Sequence, residues 1–240
     1  MYEMNLRVRY SETDLFRKLH LHHLLDYFQD AATFHSIDLG LGKWGDFVEG
    51  RVWYLLAWDV TIYRNPGIGE YLRVVTDPYK MKGFYGYRRF FLKDEKDTVI
   101  AAGESIWVLM DITKKLPVRI SEELTRLFVK PESDGTIRIK RKLSEKGEWE
   151  RVSTIEITDI FLDSNQHVNN VFYVQWARMV LAEDLVISRL RTDYRQSSFE
   201  GDTLYVDYCQ EGMIHKVRFT NQDDVLIALV EMEAGTESLE

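Results

Sequence analysis

The sequence is poor in cysteine, in long apolar runs and in net positive charge. A single cysteine, Cys209, stands among 240 residues, which excludes an internal disulfide framework and fits a reducing compartment. No apolar run approaches the length of a membrane-spanning helix. The first residues, Met1-Tyr2-Glu3-Met4, carry no charged segment followed by an apolar one, so no secretory signal is expected. A formal net charge of −8 argues against general binding to nucleic acid. We expect a cytoplasmic protein that engages neither nucleic acid nor membrane.

What is present is a folding chain, 45% hydrophobic, with one dense polar motif. Its length suffices for one large core or two small ones. Asp163-Ser164-Asn165-Gln166-His167-Val168-Asn169-Asn170 packs an acid, an amide and an imidazole close together. An extended backbone would project Asp163, Asn165 and His167 from one face. Downstream, Val171, Val174, Trp176, Ala177, Val180 and Leu181 recur at helical spacing, with Asn169 or Asn170 suited to the N-cap. A helix start offers backbone N–H groups and the positive end of the macrodipole, both suited to a developing oxyanion, so a carbonyl substrate is the natural expectation. The plainer reading is a capping loop that holds a hydrogen-bonded histidine.

A faint duplication relates the two halves. His20-Leu21-His22-His23-Leu24 falls where the second half has His167-Val168-Asn169-Asn170-Val171, and Asp14 then matches Asp163 if the first copy carries a two-residue insertion. Thr61-Ile62-Tyr63-Arg64 followed by Gly69-Glu70 echoes Thr192-Asp193-Tyr194-Arg195 followed by Gly201-Asp202. Strands are expected over 71–76, 85–92 and 99–110 in one copy and over 204–208, 214–219 and 225–232 in the other, with turns at 94–97 and 221–224. The first helix shows an apolar face in Leu21, Leu24, Leu25, Phe28, Ala31 and Ala32. The expected class is α+β, each half a long helix wrapped by an antiparallel sheet. We place the halves at residues 1–120 and 151–240, with a charged, aperiodic linker at 121–150.

These residues resemble the acyl-(acyl carrier protein) thioesterases of plants and bacteria, a family of tandem hotdog folds. The resemblance rests on Asn165-Gln166-His167-Val168-Asn169-Asn170 with Tyr173 and Trp176 in the following helix. In the first half it rests on residues 53–65, on Tyr87-Arg88-Arg89 and on Ser105-Ile106-Trp107-Val108-Leu109-Met110. It implies hydrolysis of a fatty acyl thioester carried on the phosphopantetheine of acyl carrier protein, without cofactor or metal. It further implies that the C-terminal half is catalytic through Asp163, Asn165 and His167, and that the N-terminal half shapes the acyl pocket. The family's Glu and Cys, expected shortly after Tyr194, are replaced here by Ser197 and Ser198, which become candidates for the polar network. Glu200 is near but out of register, and Cys209 lies too far along the chain.

Other clusters carry less. His20, His22 and His23 match no standard zinc spacing and read as a solvated or capping group. The basic groups Lys114-Lys115 with Arg119, Lys80 and Lys82 with Arg88-Arg89, and Arg138, Lys140, Arg141 and Lys142 read as solvated surface, one of which would receive an acidic carrier protein. An acyl-CoA thioesterase and a non-catalytic acyl-binding module are the competing functions. The sequence leaves a homodimer open.

Overall fold

Strand β1 (Tyr2–Arg7), partly buried at alternate residues, leads through a 3-10 turn (Tyr10–Glu12) into helix α1 (Leu21–Asp38). The chain is described here by a computed structural model covering residues 1–41 and 50–235. Leu24, Leu25, Phe28, Ala31 and Ala32 recur every three or four positions and are buried, so one stripe of α1 faces the core. Phe28 stacks on Phe90 with ring centroids 4.9 Å apart. Leu21, expected on that stripe, is only partly buried.

The strands that follow are β2 (Arg51–Ile62), β3 (Tyr71–Lys82), β4 (Tyr85–Asp94), β5 (Val99–Asp111) and the two-residue β6 (Leu116–Pro117). A short helix, α2 (Glu122–Phe128), is capped by Ser121, whose hydroxyl oxygen accepts the Leu124 N–H at 3.1 Å. The second series is β7 (Glu150–Glu156), a 3-10 turn (Asp159–Phe161), α3 (Asn170–Met179), β8 (Ile187–Tyr194), β9 (Thr203–Glu211), β10 (Ile214–Thr220) and β11 (Leu226–Ala234).

Two units emerge, one of Met1–Leu56 with Tyr63–Ile139, the other of Ala57–Ile62 with Lys140–Glu240. Strand β2 is therefore divided, and its last residues pair with β8. In the first unit β1, β3, β4 and β5 run antiparallel in that order. In the second, β8, β11, β10, β9 and β7 do the same. Both expected hairpin turns are present and share one geometry. Asp97 and Asp224 each take a left-handed φ, +63° and +60°, a conformation that Asp tolerates better than most residues. Strand β3 runs well past the expected Thr76, because a bulge between Pro78 and Lys80 absorbs the proline that lacks an N–H.

Asp207 on β9 stands directly opposite Arg151 of β7 on one side and Arg218 of β10 on the other. Its carboxylate accepts from Arg151 Nε at 2.8 Å and from Arg218 Nε at 2.9 Å while only 2% exposed. Burial raises its pKa, but the two guanidinium groups outweigh this and hold the carboxyl below the ordinary range. A depressed folded pKa contributes stability above the unfolded value, near 4, and that contribution is lost as pH falls through the folded value. Asp207→Asn is therefore expected to cost about 1–3 kcal/mol at pH 7. The penalty should shrink in acid. Urea unfolding at pH 7 and at pH 3 measures both, and a penalty independent of pH would contradict the assignment.

Candidate active site

In the second unit, residues 162–168 form a closed turn between the 3-10 turn and α3. Leu162 bridges to Val168, the Asp163 N–H donates to the His167 carbonyl at 2.7 Å, and the Gln166 N–H donates to the Asp163 carbonyl at 3.0 Å. Gln166 takes a left-handed φ of +60°. The Asp163 side chain stabilises this turn from inside, where Oδ1 accepts the N–H of Asn165 at 2.8 Å and of His167 at 3.3 Å. The expectation of an extended segment with three side chains on one face is therefore corrected. The backbone doubles back around the Asp163 carboxylate, which holds the amide N–H groups of Asn165 and His167.

All three side chains are partly buried. The Asn165 amide makes no hydrogen bond to another described residue. The His167 imidazole meets the ring of Phe199 edge to face, centroids 4.9 Å apart. Asp163 bonds the backbone N–H of His167, a contact that fixes the turn. Asn169 is the N-cap of α3, its side chain accepting the Val171 N–H at 3.4 Å. Tyr194 on β8 donates its hydroxyl to the Asn170 carbonyl at 3.0 Å, tying the first residue of α3 to the sheet.

Ser197 and Ser198 part company. Ser197 is exposed, whereas Ser198 is 1% exposed and its hydroxyl lies beside the buried Tyr173 phenol. Burial pushes the Tyr173 phenol up, and the Ser198 hydroxyl partly offsets this. The Ser198 carbonyl accepts the Val168 N–H at 2.9 Å, which lays the 198–202 loop alongside the turn. Glu200 on that loop is exposed, and Cys209 is buried. Phe199 was not foreseen as a neighbour of His167. The Gly201-Asp202 half of the repeat is the signal that could have found it, since it fixes where this loop returns.

The first unit repeats the turn bond for bond. The Asp14 N–H donates to the Lys18 carbonyl at 2.8 Å, the Arg17 N–H donates to the Asp14 carbonyl at 3.0 Å, and Arg17 takes a φ of +61°. Asp14 Oδ1 accepts the N–H of Phe16 and of Lys18, both at 2.9 Å. No insertion is needed, which corrects the alignment expected from sequence. Lys18, not His20, stands where the second unit has His167. His20 is the N-cap of α1, as Asn169 is of α3. The Gly69-Glu70 and Gly201-Asp202 match holds, with φ of +83° and +85° at the two glycines. Tyr63, however, corresponds to Arg195 rather than Tyr194, since the N–H groups of Tyr63 and Arg195 make equivalent bonds to the carbonyls of Ile100 and Ile227.

His20 stacks on His22, the His23 ring lies tilted against both, and His23 Nδ1 pairs with Asp26 at 2.8 Å. Burial drives His22 down to about 3, with its histidine neighbours adding to the shift. Among the described residues no three His, Cys, Asp or Glu side chains gather in a geometry that could hold a metal ion. No helix among them is long and apolar enough to cross a membrane.

Comparison with known families decides the kinship. The profile described as "Acyl-ACP thioesterase N-terminal domain" matches residues 1–128, and "Acyl-ACP thioesterase C-terminal domain" matches residues 145–232. The chain belongs to the acyl-ACP thioesterase family. Its relatives include a chloroplastic palmitoyl-acyl carrier protein thioesterase of Gossypium hirsutum, 25% identical over 82% of this chain and 52% of that protein. A protein of the same name from Cuphea hookeriana is 27% identical over 73% of this chain and 46% of its own length. The chain thus spans about half the length of the curated relatives it matches. The crystal structure of an acyl-ACP thioesterase from Bacteroides thetaiotaomicron has a TM-score of 0.84 at 16% identity, covering 97% of each chain. The 12:0-ACP thioesterase of Umbellularia californica has a TM-score of 0.81 at 18% identity, covering 98% of this chain and 96% of the other. The fold is the α+β double hotdog of acyl-ACP thioesterases.

Because Asp163 Oδ1 holds the turn, Asp163→Ala is expected to destabilise by about 2 kcal/mol, while Asp163→Asn, which keeps an acceptor at Oδ1, should lose less than half of that. Thermal unfolding of the two variants checks this. Equal losses would contradict the role given to Oδ1.

Proposed function

We propose that this chain hydrolyses the thioester of a fatty acyl group on acyl carrier protein, releasing free fatty acid. The observation that carries the reading is the match to both domains of the family together with an Asp-Asn-His turn at the entrance to α3. A thiolate departs more readily than an alkoxide or amide, so a base and a site for the carbonyl oxygen supply most of what the reaction needs.

His167 removes a proton from an attacking water as the water oxygen bonds to the thioester carbonyl carbon. The resulting oxyanion is stabilised at the start of α3, where the macrodipole is positive. Asn165 orients the water or the thioester through its amide. Collapse of the tetrahedral intermediate breaks the carbon–sulfur bond, and the imidazolium returns its proton to the departing sulfur. Asp163 is a positioning residue. It fixes the turn that presents Asn165 and His167. Ser197 and Ser198 are not needed for proton transfer. The buried Ser198 is also unsuited to act as a nucleophile, since no Gly-x-Ser-x-Gly elbow surrounds it.

The partner in this reading is acyl carrier protein bearing a phosphopantetheine-linked chain. Thiol release from acyl carrier proteins and acyl-CoA of equal chain length tests the reading. Wild type should release thiol and favour the carrier protein. His167→Ala should stay folded and lose about 10²–10⁴ in kcat, whereas Ser198→Ala should retain turnover. Preference for acyl-CoA would move the substrate to the coenzyme, tight acyl binding without thiol release would make the protein a binding module, and full activity in His167→Ala would remove the proposed base.

A further inference from the structure

Arg88, read from sequence as solvated surface, lies in the interior of the first unit and is 6% exposed. On β4 it alternates inward with Gly86, Phe90 and Leu92. Phe90, two residues on, is the residue that Phe28 of α1 stacks upon. Arg88 Nη1 approaches His35 Nδ1 at 3.2 Å and Thr76 Oγ1 at 3.3 Å. Its Nε and Nη2 have no hydrogen-bond partner, and it has no carboxylate partner, among the described residues. Thr76 spends its own hydroxyl proton on the Arg89 carbonyl at 2.9 Å.

The surroundings are largely apolar. The Phe128 ring lies 5.8 Å from the guanidinium carbon. Leu109 and Phe128 form a buried cluster lined by the partly buried Leu39, Trp53, Met81 and Leu124. Trp53 covers Gly86 so closely that a Cβ there would meet its ring at 3.3 Å. Burial drives His35 down to about 4, with Arg88, the chain's amino terminus and Lys130 adding to the shift, so His35 is neutral and accepts from Arg88. Asp77 is the acid whose charge supports Arg88. A guanidinium buried without a carboxylate is costly, and its planar fork suits an acceptor that arrives from outside the fold.

We propose that Arg88 is a specificity-determining residue that reads an oxygen substituent, a carboxylate or hydroxyl, on the distal part of the acyl chain. This rests on the thioesterase reading and on the first unit housing the chain. A plain chain gains nothing by reaching Arg88, because its methyl end would desolvate the guanidinium further without supplying an acceptor. An oxygenated chain of the same length satisfies the open Nε and Nη2 donors. The substrate class is therefore an acyl group oxidised towards its far end, and plain chains are accepted when they stop short of Arg88.

The test uses non-hydrolysable S-alkyl pantetheine thioethers of one length that end in methyl, hydroxyl or carboxylate, titrated calorimetrically into the full chain. Wild type should bind an oxygenated ligand at least about tenfold more tightly than the methyl ligand, the size of one good charge-assisted hydrogen bond. The stronger of the two oxygenated ligands identifies the group that is read. Arg88→Met should erase the preference while keeping affinity for the methyl ligand, and Arg88→Lys should keep part of it. An equal preference in wild type and Arg88→Met, or no preference in wild type, overturns the proposal. Should Arg88→Met fail to fold, the wild-type ratio and the Arg88→Lys ratio still decide. Hydrolysis of plain acyl thioesters without any oxygen preference leaves the thioesterase reading standing and removes this one. Neither binding nor hydrolysis of any member removes both.

Discussion

A single carboxylate oxygen at the start of a five-residue turn organises each half of this protein. In the first unit Asp14 Oδ1, and in the second Asp163 Oδ1, accepts the amide N–H groups two and four residues downstream. That contact closes the chain on itself, admits a left-handed residue at Arg17 or Gln166, and delivers the next segment to the N-cap of the long helix. Helix entry, the placement of the polar side chains and the return of the neighbouring loop all follow from it. The Val168 N–H reaches the Ser198 carbonyl, and the Leu19 N–H reaches the Pro66 carbonyl, because the turn holds both amides at the same point.

The backbone of this turn is independent of the chemistry it carries. Leu15-Phe16-Arg17-Lys18 and Ser164-Asn165-Gln166-His167 occupy equivalent positions with nearly equal hydrogen bonds. Neither set is required by the fold. One unit presents an amide and an imidazole, while the other presents large apolar side chains and two cations. Such a duplication lets a second copy lose the reacting groups at little cost to stability, since the aspartate alone secures the geometry.

Much of the fold was legible in the sequence, and the failures have physical causes. Strands β4, β5, β10 and β11 and the hairpin turns at 94–97 and 221–224 follow from hydrophobic patterning and turn chemistry. The end of β3 was misjudged because a bulge, invisible to periodicity, carries the strand past Pro78. Residues 121–150 read as charged and aperiodic, yet α2 and the buried Phe128, Ile139 and Leu143 lie within them. Their apolar residues are too sparse to form a periodic face. At the site, residue identity points to Asp163, Asn165 and His167, but alternation alone implies an extended segment where the Asp163 carboxylate closes a turn. Matching histidine to histidine across the repeat then forced an insertion that the hydrogen bonds remove. Arg88 was misread for a related reason, since charge alone suggests surface and only its place on the inward face of β4 reveals burial.

The most direct measurement follows from the separation of scaffold and chemistry. The second turn is given the residues of the first by Ser164→Leu, Asn165→Phe, Gln166→Arg and His167→Lys in one chain, with Asp163 kept. Melting temperature and thiol release from acyl carrier protein are then measured against wild type. The account predicts a folded protein that melts within a few degrees of wild type, with turnover below about 1% of it, the loss expected for removing a general base. A variant that retains wild-type turnover would contradict the account.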